Sequence, residues 1–448
     1  MGLKQLAWIM GLSWLSLTAH AEDLLDICRQ AIANDPQLAL AGADRRYTAE
    51  AVPLARSALL PQISGSYGIS QDRATSSAGT VISGSTVINT GNGGVGHQRT
   101  LSAGVSASQS LFNLQDIASL WTAHATVDAQ NALYQGSVQD LYIRVAQAYL
   151  KAIQYRSYDQ AYQAYAEISQ QVWQQVAARN AHGLASKIDV NQAMTSYGLA
   201  RTEAVDYHNQ YNDALEALRQ ITGSPVGRLL QLADPIPLQT AVPASEDYWT
   251  ERASSNNPTV VADQFKLDAA LRAILAARAA HLPTLSATIS YNKNPTWTQF
   301  ESRHSRTTDT AIGLTLSVPI FSGGAMHAQV RQAIASRDQG ADQLEIDRRQ
   351  VVRDARNYYR SLAAGVEQVK MARDSAMAAA AAVKSARAGL LVAATDMTTV
   401  LYTIEYQAEA NTEYAYARNQ FLMNQLLLKQ AAGDVTWQDL EALNRLLR

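Results

Sequence analysis

The sequence is a duplication, so whatever fold it adopts must be built from two copies of one unit. Asn34-Asp35-Pro36 returns as Asn256-Asn257-Pro258, 222 residues later, and at the same offset Arg56 matches Arg278 and Pro61 matches Pro283. The offset becomes 209 at Leu111-Phe112 against Ile320-Phe321, and holds through Ile143-Arg144 against Val352-Arg353 and Tyr149 against Tyr358. Thr202-Glu203, Asn209 and Gly223 then match Thr412-Glu413, Asn419 and Gly433 at 210. Self-similarity this long marks one repeated architectural unit. The expected organisation is a first repeat over 22–223, a connector over 224–245 carrying Pro225, Pro235, Pro237 and Pro243, a second repeat over 246–433 and a C-terminal segment over 434–448. The connector reads as ordered but irregular.

Each copy contains the same elements. A helical lead-in covers about 24–59 and 246–281, followed by two short alternating segments, a very long helix, a break and a second long helix. In the alternating segments Ile63, Gly65, Tyr67 and Ile69 are interleaved with serine and glycine, as are Leu101, Ala103, Val105 and Ala107. The second copy repeats this with Leu285, Ala287, Ile289 and Tyr291, then with Ile312, Leu314, Leu316 and Val318. A period of two places one strand face in an apolar medium and the other in a polar one. Each run approaches the ~9–11 residues of a tilted transmembrane strand. A small water-soluble sheet would show the same period, but its open face usually carries Lys and Glu; small Ser, Gly and Thr suit a lumen. Four strands cannot close a barrel, and an open edge in lipid leaves backbone groups unpaired. Two chains would pool eight strands around a filled interior, three would pool twelve around an open one.

No other route through a membrane is visible. Lys4, the apolar stretch from Leu6 to Leu17 and Ala19-His20-Ala21 have the layout of a secretory signal peptide over 1–21, cleaved after Ala21. Beyond it no stretch approaches the ~20 apolar residues of a membrane helix. Cys28, the single cysteine, excludes an internal disulfide framework and any multi-cysteine metal site. A net charge of −2 argues against nucleic acid as a partner.

From Leu114 to His182 there is no proline, so one helix of ~70 residues would reach ~100 Å. Leu141, Val145, Ala148 and Ala152 form one apolar stripe on it, and Ile143, Ala146, Leu150 and Ile153 a second. Two stripes describe a helix packed on both sides, as in a wall of helices.

With these elements in order, the chain resembles the TolC-like outer-membrane factor family, the export ducts of type I secretion and tripartite efflux. The residues that carry the resemblance are Asn34-Asp35-Pro36, Leu59-Leu60-Pro61-Gln62, Pro319-Ile320-Phe321-Ser322-Gly323-Gly324 and Asn424-Gln425-Leu426 running to Gly433. It implies a mainly α chain with a small transmembrane β part: four β-strands and long antiparallel helices. A homotrimer would form a 12-stranded β-barrel in outer-membrane lipid, continued by a 12-helix α-barrel through the periplasm. The loops at 71–100 and 293–310 would face outside. The implied partners are a periplasmic adaptor (membrane fusion) protein and an inner-membrane ABC, RND or MFS transporter.

In that family the turns between the long helices carry the periplasmic gate. The first turn has the expected Gly183, followed by Lys187 and Asp189. The second departs: Ala393 stands in place of glycine, and Thr399 and Tyr402 stand where the best-known members place two pore-narrowing aspartates. Leu390 and Thr395 likewise replace a tyrosine and an arginine of the closing latch. Asp396 is the nearest acid. Two readings of it stand side by side: a substitute acidic ring around a symmetry axis, or an N-cap of the returning helix.

Catalytic signals are missing. Gly91-Asn92-Gly93-Gly94-Val95-Gly96 satisfies G-x-G-x-x-G but precedes a strand instead of opening a helix. The histidines are scattered without metal-ligand spacing, and there is no P-loop and no G-x-S-x-G elbow. An enzyme is not expected, nor a cofactor. The reading is a passive duct that conducts exported proteins or small molecules outward from a transporter complex. Its rival is a periplasmic or surface structural coiled-coil protein without a channel.

Overall fold

The computed structural model describes residues 22–76, 80–83, 86–89, 94–298, 305–392 and 394–448. The signal-peptide segment 1–21, Ala393 and Gly91–Gly93 of the glycine-rich stretch lie outside the described residues. In chain order the elements are α1 (Leu24–Asn34), α2 (Pro36–Ala49), α3 (Ala51–Ser57), β1 (Gln62–Ser76), β2 (Thr80–Ser83), β3 (Thr86–Asn89), β4 (Gly94–Phe112), α4 (Leu114–Ala181) and α5 (Lys187–Thr222). They continue with α6 (Glu246–Asn256), α7 (Pro258–Ala279), β5 (Thr284–Thr298), β6 (Ser305–Ser317), α8 (Ala325–Leu391), α9 (Met397–Ala431) and α10 (Trp437–Asn444). The fold is mainly α with a small sheet. No helix among the described residues is long and apolar enough to cross a membrane.

The chain divides into two compact units. One, over 44–131 and 262–345, holds an antiparallel sheet in the order β1-β4-β5-β6. Its register explains the alternation. Ile63, Ala107, Ile289 and Ile312 stand opposite one another across all four strands, and so do Ser64, Ser106, Ser290 and Ala311 one residue along. Successive side chains point to opposite faces, so the isoleucine-rich row and the serine-rich row fall on opposite faces of the sheet. The apolar row is bare in the single chain: Ile63 is 75% exposed and Ile312 80%. On the other face Asn292 lies directly over Gly104, where a Cβ would meet its Oδ1 at 2.2 Å. Among the described residues the outer strands β1 and β6 each have a single neighbour in the sheet.

The strands run further than the alternation suggests. Much of 71–100 and 293–310, expected as loops, is strand, with β2 and β3 paired inside the first of them. Gln71 pairs with Arg99, Asp72 with Gln98 and Arg73 with His97. Ladder hydrogen bonds need only backbone, whereas hydrophobic alternation reports the medium on each face. A strand that leaves the apolar medium therefore loses its pattern before it loses its partner.

The other unit, over 22–43, 132–261 and 346–448 among the described residues, holds the main core. Both stripes of α4 are covered: Leu141, Val145 and Ala152 on one, Ile143, Ala146, Leu150 and Ile153 on the other. They pack with α1, the ends of α5 and α9, and α10. Tyr149, fully buried between the stripes, donates to the Leu230 carbonyl at 3.1 Å. Leu229 and Ile236 of the connector are buried in the same cluster, and short bridges tie Glu22 to Leu229 and Leu232 to Leu447.

Each lead-in breaks at its Asn/Asp-Pro motif. Asp35 and Asn257 adopt extended backbone, the conformation favoured before proline, and Pro36 and Pro258 begin the next helices. The copies differ in how this break is held. Asp35, 4% exposed, takes two hydrogen bonds from Arg144, at 2.7 and 3.2 Å, and one from the Leu38 amide. Asn257 donates to the Ala431 carbonyl at 3.0 Å and caps the Thr259 amide.

Candidate functional site

The two turns between the long helices lie within the second of these units, and both line one cleft of ≈370 Å³. Arg179, Asp189, Leu390 and Asp396 are among its lining residues. Proximity in the chain brings Asp189 to the first turn and Asp396 to the second; packing of the helix pairs brings the turns together. Beneath them Tyr162, Tyr165, Val172, Val176, Ala200, Ala204, Val383, Val400 and Ile404 form a second core cluster.

The first turn is closed by backbone geometry. Gly183 has φ +73°, the Leu184 amide donates to the Arg179 carbonyl at 2.8 Å, and the Asn180 side chain donates to the Ala185 carbonyl at 2.7 Å. This is the Schellman arrangement, which favours glycine at the left-handed residue. Helix α5 then begins with a capping box: the Asp189 amide donates to Ser186 Oγ at 3.1 Å and the Ser186 amide to Asp189 Oδ2 at 3.0 Å. Lys187 is the first residue of α5 and is exposed. Asp189 thus has a local partner that fixes its position.

The second turn reverses the same cap. Asp396 occupies the N-cap of α9, and its carboxylate accepts from the Thr399 amide at 2.6 Å. Across the repeat Ser186 corresponds to Asp396 and Asp189 to Thr399, so the acid has changed places with the hydroxyl residue. The Thr399 amide and then its hydroxyl hold the Asp396 carboxyl below the usual carboxylate range. Asp396 is therefore an N-cap, and its charge remains exposed to solvent.

Tyr402 is 55% exposed and its ring stacks on Tyr406, with centroids 6.4 Å apart. The glycine sought at position 393 has a functional relative four residues earlier. A Cβ on Gly389 would meet Thr395 Oγ1 at 2.3 Å, and the Ala394 amide donates to the Gly389 carbonyl at 2.8 Å. Its signal is the lone glycine in the last turn of α8, Ala388-Gly389-Leu390, which sequence reading passed over.

The acids on the long helices also gain a structure that periodicity does not reveal. Burial, and then the neighbouring charges of Glu405, Glu409 and Asp206, push the Glu203 carboxyl above its ordinary range. Helices α5 and α9 pack against each other and bring these acids near one another. Pro319, Phe321, Gly323 and Gly324 belong to the sheet-bearing unit, between β6 and α8. Phe321 is 89% exposed, and Gly323 and Gly324 have φ +61° and +83° with open space where a Cβ would stand. These glycines reverse the backbone from strand to helix and do not fill a packed site.

No group of three or more His, Cys, Asp or Glu with metal-binding geometry occurs among the described residues. Comparison with known proteins gives a consistent result. The sequence model of the outer membrane efflux protein family matches residues 27–224 and again 249–434. The outer membrane protein TolC of Vibrio cholerae is 28% identical, over 97% of this chain and 95% of its own. The proteases secretion protein PrtF of Dickeya chrysanthemi is 25% identical, over 95% and 91%. The crystal structure of the Campylobacter jejuni CmeC outer membrane channel superposes with a TM-score of 0.76 at 16% identity, covering 100% of this chain and 98% of that one.

Proposed function

Since this chain belongs to the outer membrane efflux protein family, we propose that three copies assemble into the duct that it needs to work as an outer-membrane channel-tunnel exporting substrates. The carrying observation is the sheet: four strands with a bare apolar face and two unpaired edges. In lipid, unsatisfied edge groups cost several kcal/mol each, so β1 must pair with β6 of another copy until the ring closes. Three copies give twelve strands, wide enough for a lumen, with the Ser, Gly and Thr face inside. Residues 1–21 act as a cleaved export signal, and 22–223 and 246–433 as two structural repeats about the 224–245 connector. A periplasmic adaptor and an inner-membrane ABC, RND or MFS transporter supply cargo and energy. PrtF is named for protease secretion; secretion of a protein cargo and efflux of small molecules would use the same passive duct, the transporter choosing between them.

Purified full-length protein should run as a heat-modifiable trimer and produce discrete ion conductance in planar bilayers. A monomer without conductance would instead support a structural coiled-coil role.

The paired turns are the periplasmic gate of this duct, with Asp189, Asp396, Thr399 and Tyr402 near its narrowest part and Gly183, Lys187 and Ala393 at its tip. Asp396 carries two separable roles. Asparagine caps a helix about as well as aspartate but has no charge. Asp396→Asn is therefore expected to leave the turn intact while lowering cation selectivity, whereas Asp396→Ala also speeds amide exchange at Thr399. Unchanged selectivity in both variants would remove the acidic-ring role and leave the cap.

A further inference from the structure

We propose that His281 and His327 form a two-histidine site for a borderline divalent transition-metal ion, a Ni²⁺, Cu²⁺ or Zn²⁺, at the foot of the β5–β6 hairpin. His281 follows α7 and stands three residues before β5, and His327 lies in the first turn of α8, 46 residues further on. Their ring centroids are 5.1 Å apart with the planes inclined at 56°. Both side chains are exposed, and neither imidazole has a hydrogen-bonding or ion-pairing partner among the described residues.

The separation fits coordination. With metal–nitrogen bonds of ~2.0–2.1 Å and each centroid ~1.2 Å behind its nitrogen, two imidazoles on one cation keep centroids ~4.5–5.4 Å apart. The lower value belongs to a right angle at the metal and the upper to a tetrahedral one. The plane angle does not match the offset-stacked or edge-to-face arrangements that aromatic pairs favour on their own. Neutral imidazole nitrogens select Zn, Cu and Ni over Mg and Ca. With no third protein ligand in metal-binding range among the described residues, water completes the coordination and the site remains exchangeable.

The first repeat has no counterpart: Leu59 stands in the place of His281 and the buried Ala118 in that of His327. One site per chain follows. A bound ion would join the ends of the two helices that flank β5 and β6, and would stabilise the folded hairpin by mass action.

The test uses untagged full-length protein in detergent, titrated with Ni²⁺ by calorimetry and with Cu²⁺ by electron paramagnetic resonance. The expected result is one ion per chain, a Cu²⁺ spectrum split by two nitrogens, and a rise in melting temperature with Ni²⁺. Losing a direct ligand should cost at least what losing an outer partner does, so His281→Ala and His327→Ala should each weaken Ni²⁺ more than ~10-fold. His124→Ala, an exposed histidine on α4, should not. A Cu²⁺ spectrum of the unmutated protein with a single nitrogen, or Ni²⁺ bound as tightly by both variants as by wild type, would overturn the proposal. The spectrum decides the question even where a variant fails to assemble.

Discussion

Replacing Gly433 by alanine is expected to unfold the end of the second repeat and abolish trimer assembly. Gly433 has φ +73°, a conformation that costs a side-chain-bearing residue ~1–2 kcal/mol. A Cβ there would also stand 2.4 Å from the Asn256 carbonyl oxygen and 2.8 Å from its carbon, both backbone atoms that no rotamer change can move. The carbonyl of Gly433 accepts from Gln139 Nε2 at 2.9 Å, and the next residue, Asp434, holds Arg252 through two hydrogen bonds at 2.7 and 2.9 Å. Relieving the collision therefore disturbs α4, α6 and α9 together, and the loss should reach roughly 3 kcal/mol or more. Gly223, its counterpart in the first repeat, has nearly the same φ, +72°, but its Cβ would meet the Asn34 side chain at an ordinary contact distance, 3.4 Å at the nearest. Gly223→Ala should cost about 1–2 kcal/mol of strain alone. Hydrogen-exchange protection of α9 and α5 in the two variants measures the contrast. Equal losses would show that the backbone collision is relieved without effect.

Asp35→Ala should be the next most damaging change, at about 2–4 kcal/mol, because it strands a half-buried guanidinium and uncaps α2. The lower part of that range applies if Arg144 falls back on Asp140, which it already touches at 2.9 Å. Asp35→Asn retains a cap for Leu38 and should lose less. Replacing Asp35 and Arg144 together by apolar residues of similar volume should recover most of the loss, since a buried pair is costly to break but not to remove whole. The repeat already contains an uncharged solution: Asn257 holds the equivalent break with neutral hydrogen bonds.

The pair also sets a pH dependence. Burial, the largest influence, raises the Asp35 carboxyl, but hydrogen bonds from Arg144 and the Leu38 amide together with the Arg144 charge outweigh it and leave it below its ordinary value. A depressed folded-state pKa gives stability that is complete above the unfolded carboxylate value near ~3.9 and is lost as pH falls through the folded value. Protection of α1 and α2 should therefore decline below about pH 4 in wild type and less steeply in Asp35→Asn. An identical acid profile in both would mean that Arg144 contributes nothing through Asp35.

The duplication, the four strands and the long helices were legible because each leaves a periodic trace. Ile63, Tyr67 and Ile69 need an apolar medium at every second residue, and Leu141, Val145 and Ala152 need a packed neighbour at helical spacing; neither demand depends on knowing the partner. Strand length was not legible, since Gln71 and Arg99 pair through backbone and leave no hydrophobic trace. Nor was the acidic grouping around Glu203, whose neighbours Glu405 and Glu409 come from a helix about 200 residues away.

At the turns the sequence by itself determined which residue types stand at each position, including the absence of aspartate at 399 and 402. Only the tertiary structure decided what they do. It showed Asp396 bound to the Thr399 amide as a cap, the mirror of Ser186 with Asp189, and made Gly389 the residue that lets Thr395 pack. Helix periodicity is a property of neighbours three or four residues apart and is written into the chain. A cap, a close approach or the meeting of His281 with His327 depends on where distant backbone comes to rest, and that is settled by packing.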